Sequence, residues 1–172
     1  GLVKAFELLI QGDPQVVRIT LLSLQVSGLA TLISLMLGMP LGTLLALTRF
    51  PTRRFWISLV NTGMALPPVV VGLMVSIFLW RSGPLGFMRL IYTPWAMVIA
   101  QVLIAFPVCA GLTLTALQQL DPRLQTQLLG LGASRLQMVL ELWKEARLPL
   151  MAALIAAFSS VISDVGASMT LR

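Results

Sequence analysis

The sequence predicts an all-α, polytopic membrane protein, and three observations lead there. Hydrophobic residues make up 58% of the chain and charged ones only 10%, with a mean hydropathy of +0.94, outside the range of a soluble globular domain. The charges are segregated: none falls between Arg18 and Arg49, Arg54 and Arg81, Arg89 and Asp121, or Arg147 and Asp164. All but the last of these stretches exceed the roughly 20 residues that cross a bilayer as a helix, and a helix satisfies its backbone polar groups within one such segment.

The elements follow in order. Residues 1–18 open with "GLVKAFELLIQGDPQ", which carries Glu7 and Asp13 and has no long apolar core. That pattern predicts a short external amphipathic segment ending at "GDP" rather than a cleaved signal. Spans are expected at 19–47, 55–80, 94–117 and 148–171, within a single transmembrane domain over 1–172. Pro40, the pair Pro67 and Pro68, and Pro107 each remove a backbone donor inside a span, so each is expected to bend or break its helix and to leave carbonyls that need another partner. Gly38 and Gly42 form a GxxxG pair. It lets two helix backbones approach closely, between copies among other arrangements, while Pro40 inside it is equally compatible with a loosened helix end. In the last span Ala152, Ala153, Ala156, Ala157, Ser160, Ser163 and Ala167 form a small-residue stripe bordered by Asp164, a face expected to pack on protein or to line a cavity. A carboxylate at that depth is costly unless paired or wet. Pro67, Pro68, Pro107, Ser160, Ser163 and Asp164 are therefore the candidate pathway and gate residues.

Between the third and fourth spans lies a charged segment, 118–147. Asp121 followed by Pro122 reads as the cap and first turn of a short helix running to Leu131, which Gly132 stops. A second helix, "ASRLQMVLELWKEARL", then feeds the last span. This segment and the linker "TRFPTRR" hold Arg49, Arg53, Arg54, Arg123, Arg135, Lys144 and Arg147, seven of the twelve basic residues. The positive-inside rule puts both in the cytoplasm, with 1–18 and "RSGPLGFMR" outside.

What is missing narrows the chemistry. The chain has no histidine and one cysteine, Cys109, in the third span, so it builds neither a His/Cys metal site nor a disulfide, and Cys109 reads as a small core residue. Neither lysine lies in a phosphate-binding loop, and Asp164 has no second intramembrane carboxylate to work with. The reading is thus of a non-enzyme with no cofactor of its own. The net charge of +6 sits mostly at span ends, where it anchors topology, and nucleic acid is not an expected partner. A non-transporting membrane scaffold is the rival class.

"LDPRL", "LGAS" with Arg135 and Leu136, "LPPVVVG" and "SDVGAS" resemble the membrane subunits of binding-protein-dependent ABC importers. "GDPQV", "RSGPLG", "TPWAMVIAQ" and "KEARLPL" are most similar to the tungstate importers of the molybdate and sulfate branch. The sequence departs from the family's EAA motif, with Thr126, Gln127 and Leu128 at the EAA positions and Lys144 and Glu145 at its closing Leu-Pro. The resemblance implies a type I importer permease in the prokaryotic inner membrane, working as a homodimer with a cytoplasmic ABC ATPase dimer that holds ATP and Mg, and with an external substrate-binding protein. It implies a further span beyond Arg172. It also implies that the short helix from Pro122 is the coupling helix, with Asp121, Pro122, Arg123, Gly132, Ala133, Ser134 and Arg135 as coupling residues, and that an oxyanion is carried: tungstate first, then molybdate or sulfate.

Overall fold

The structure is a computed structural model that describes residues 14–90 and 93–169, with side chains at 17–90 and 93–162. The described elements are α1 (Pro14–Leu47), α2 (Arg53–Ala65), α3 (Pro68–Leu79), a 3-10 turn (Gly86–Met88), α4 (Pro94–Gln118), α5 (Pro122–Gly130), α6 (Arg135–Glu145) and α7 (Arg147–Met169). The expected amphipathic segment falls mostly on residues 1–13, outside the described residues. Its last residues, Pro14 to Arg18, belong instead to α1, because proline at the first helical position gives up a donor that has no acceptor there anyway.

α1 and α4 form the central pair, and glycine sets their spacing. A Cβ on Gly38 would lie 2.7 Å from the Cβ of Cys109, and one on Gly42 would stand 2.8 Å from the Cβ of Thr113. The GxxxG pair therefore brings two helices of the same chain together; it is not a loosened helix end. Cys109 is buried in this contact. Toward the other ends, Val26 and Ala30 pack on Val98. Partner positions rise together along the two helices, so α1 and α4 run parallel.

Two parallel spans need the chain to return across their full length between them. α2 starts that return antiparallel to α4, with Val60 beside Gly111 and Gly63 beside Pro107. The expected span 55–80 is not one helix, however: α2 and α3 meet at an angle of 102°. Two prolines in series explain the break. Each disfavours the helical region for the residue before it, and Leu66 (ψ 128°) and Pro67 (ψ 135°) are both extended. Pro40 and Pro107, by contrast, lie within continuous helices. A single proline removes one hydrogen bond, and the packed α1–α4 interface holds both helices through that loss.

α7 starts beside the end of α4, where Leu150 joins a cluster with Leu117 and Ala146, and buries Ala153, Ala157 and Val161. Of the described residues of the expected small-residue stripe, Ala153 and Ala157 are buried, Ser160 is half-buried, and Ala152 and Ala156 are exposed. The expected end of the span at Leu171 lies outside the described residues. Ser27, Thr31 and Ser34 on α1 and Gln101 on α4 are buried along the central pair, and Ser34 Oγ donates to the Val102 carbonyl at 3.4 Å. Small polar side chains of this kind let membrane helices approach closely.

Candidate functional site: the capped helix pair at the span ends

The segment after α4 is a built structure. The Asp121 carboxylate accepts from the Arg123 backbone N–H at 2.9 Å and caps α5, while Pro122 fills the first turn. At the other end Gly132 N–H donates to the Leu129 carbonyl and Ala133 N–H to the Leu128 carbonyl, both at 3.1 Å. These paired bonds are a Schellman closure, and they need a left-handed residue at Gly132. Gly132 has φ +84°. Two residues later Ser134 starts α6 with a reciprocal capping box: Gln137 N–H donates to Ser134 Oγ, and Ser134 N–H donates to Gln137 Oε1. Ends satisfied in this way make α5, the turn and α6 one rigid piece.

That piece is fastened to the spans on one side only. Met138 and Leu142 of α6 are buried with Leu117 and Ala146, and Leu124, Leu128, Ala46 and Leu47 pack around them. Trp143 Nε1 donates at 3.0 Å to Thr43 Oγ1, 100 residues away. The same hydroxyl donates to the Met39 carbonyl at 2.7 Å. Movement of α6 thus reaches α1 and α4 together. A bend of 75° at Ala146 then turns the chain into α7.

The opposite side is open. Leu131 is 85% exposed and Leu136 70%, next to exposed Arg123, Thr126, Gln127 and Arg135. Two leucines exposed together at one helix turn suit a surface that meets a partner. The sequence reading picked out Asp121, Pro122, Arg123, Gly132, Ala133, Ser134 and Arg135, which the structure brings into this one capped piece, and passed over the outward leucines and the Trp143 tether. The tether has no local signal at all. The linker lies at the same end of the bundle: Arg53 Nε donates at 2.7 Å to the Leu45 carbonyl and closes the last turn of α1.

The candidate pathway residues differ in their surroundings. Pro67 and Pro68 are exposed at the α2–α3 break, whereas Pro107 is buried in α4 against Gly63. Ser160 Oγ donates to the Ala157 carbonyl of its own helix at 2.8 Å. Ser163 and Asp164 lie within α7, and their side chains are outside the described residues.

Comparison with known proteins matches residues 38–169 to the family described as binding-protein-dependent transport system inner membrane component. The tungstate uptake system permease protein TupB of Peptoclostridium acidaminophilum is 41% identical over 169 residues, 98% of this chain and 74% of that protein. A probable anion ABC transporter permease protein of Haloferax volcanii is 38% identical, over 87% of this chain and 65% of that protein. The molybdenum transport system permease protein ModB of Escherichia coli K12 is 30% identical, over 87% of this chain and 69% of that protein. The family match takes in the broken span, the capped helix pair and α7, and this chain belongs to the binding-protein-dependent transport system inner membrane components.

Proposed function

We propose that this chain is the transmembrane subunit of an ATP-driven oxyanion importer, with tungstate as its cargo and α5 as the element that couples it to a cytoplasmic ATPase. The carrying observation is the capped helix pair: it is rigid, tied to α1 and α4 on one side, and exposes leucine and arginine on the other. A rigid lever of that kind carries the closing of a partner into a rearrangement of packed spans, which is two-state switching. In this reading ATP and Mg belong to the partner ATPase dimer, a second copy of the permease completes the pathway, and an external binding protein selects the anion. Tungstate is favoured by the 41% identity to a tungstate uptake permease; molybdate is the second reading, on the 30% identity to ModB.

Reconstitution of the complete permease with its ATPase and binding protein tests this directly. Tungstate should stimulate ATP hydrolysis at lower concentration than molybdate or sulfate. A response to none of the three returns the protein to the scaffold class.

Topology is a separate prediction. In a Cys109→Ala background, Thr52→Cys and Gln127→Cys should resist a membrane-impermeant thiol reagent in intact cells and react in inverted vesicles. Phe87→Cys, at a side chain 78% exposed beyond α3, should do the opposite. Gly86 is unsuitable there, since any Cβ would stand 2.4 Å from the Trp80 carbonyl oxygen. Labelling of Gln127→Cys in intact cells would place α5 outside and remove the coupling role.

A further inference from the structure

α2 presents three faces. Val60 is buried, and with Met64 it lies against Gly111, while Gly63 lies against Pro107; these form the face on α4. Phe55 and Leu59, 64% and 50% exposed, form an apolar face suited to lipid. The third face carries Arg54, Ser58, Asn61, Thr62 and Ala65, all exposed. At 100° per residue these five occupy one arc of about 100°, centred on Ala65 and Arg54 and bordered by Phe55 next to Thr62. Thr62 Oγ1 donates to the Ser58 carbonyl at 2.8 Å. The Asn61 amide and the Ser58 hydroxyl make no hydrogen bond among the described residues.

Asn61 stands eight residues past Arg53, about 12 Å along the helix at 1.5 Å per residue. With Arg53 at the membrane surface and α2 along the membrane normal, that depth falls in the hydrocarbon region, where an unpartnered primary amide costs several kcal/mol. Bare hydrocarbon is therefore an unfavourable neighbour for this face. The face also leads to the α2–α3 break, where the extended Leu66 and Pro67 leave the last carbonyls of α2 without helical partners. Irregular backbone at membrane depth persists where it is buried in protein or lines water, and Pro67 and Pro68 are exposed.

We infer that the Ser58, Asn61, Thr62 and Ala65 face of α2 lines the water-filled pathway and that the Asn61 amide donates to the passing oxyanion. The inference rests on the oxyanion-importer reading and assigns that pathway a wall. Uncharged donors suit a transit site: an amide N–H and a hydroxyl replace part of the anion's hydration without holding it as a fixed cation would. Ala65 keeps the face narrow beside the break, and Arg54 puts positive charge at its mouth.

The test uses the assembled importer in a Cys109→Ala background, in membrane fragments open to both faces. Ser58→Cys, Asn61→Cys and Ala65→Cys should react with a small, charged methanethiosulfonate within about tenfold of the rate at Gln127→Cys, because only a hydrated thiol ionises to the reactive thiolate. Leu59→Cys should stay unreactive. Asn61→Leu should reach normal membrane levels yet lower tungstate uptake about tenfold or more, the scale of one hydrogen bond to a charged group, with Asn61→Ser recovering part of it. Asn61→Cys as inert as Leu59→Cys overturns the inference, whether the residue proves to face lipid or cross-links to a second copy in a dry contact. So does normal uptake by Asn61→Leu. The labelling needs no substrate, so it stands or fails separately from the choice of oxyanion.

Discussion

Gly132→Val should enter the membrane at normal levels and lose both oxyanion-stimulated ATP hydrolysis and uptake. The backbone, not crowding, is the cause: a Cβ at Gly132 meets nothing within 4 Å, but φ there is +84°. A side chain in the left-handed region costs about 1–2 kcal/mol, and β-branching makes it worse. The strain is relieved by opening the two Schellman bonds to Leu128 and Leu129, which frees α5 from its fixed angle to α6. The spans still pack, because Met138, Leu142 and the Trp143 bond are untouched. Gly132→Asn should retain much of the coupling, since asparagine tolerates this conformation. Gly130→Ala, inside α5 with open space around it, should transport normally and stiffen the helix by up to about 1 kcal/mol. Uptake and ATPase stimulation at matched permease levels are the measurements. Normal coupling in Gly132→Val would reduce the segment to a surface helix pair.

Gly42→Val should fail earlier, in the fold itself. Any Cβ at this position would lie 2.4 Å from the Ala110 carbonyl oxygen and 2.8 Å from the Thr113 Cβ. The first of these is backbone, so no rotamer change relieves it, and trimming Thr113 would not help. α1 and α4 must move apart along the parallel seam that holds Cys109, Ala110 and Leu114, at a cost of about 3 kcal/mol or more. The expected result is a steep fall in membrane-inserted permease and a lowered Tm in detergent. Gly72→Val, half-buried in α3 with nothing within 4 Å of its Cβ, should be silent by the same assays. Wild-type levels of Gly42→Val would mean that the two helices do not meet at this glycine.

Much of this was legible in the chain because membrane spans and helix caps are local signals. The charge-free stretches located α1, the α2–α3 pair, α4 and α7, and the Asp121–Pro122 pair and Gly132 marked both ends of α5, since capping depends on residues within one turn. Pro67 and Pro68 marked the break for the same reason. The start of α1 was placed late because a proline after an acidic residue reads as a boundary in either direction. At Pro40 and Pro107 the helices stay unbroken: whether one missing hydrogen bond breaks a helix depends on what packs beside it, and that is not written locally.

The sequence by itself therefore determined the membrane class, the number and rough limits of the apolar segments, the capped helix pair and the family. Hydropathy, charge placement and capping all act within a few residues of chain, so they can be read in one dimension. Only the tertiary structure decided which glycines serve close packing, that α1 and α4 run parallel, that Ala153 and Ala157 of the α7 stripe are covered while Ala152 and Ala156 are not, and that Trp143 reaches Thr43 across 100 residues. It also showed which side of α2 packs on α4 and which stays exposed, a distinction invisible in "ISLVNTGMA" until α4 is in place. Contacts between distant segments depend on the register of packed helices, and register is set by the shape of both surfaces at once.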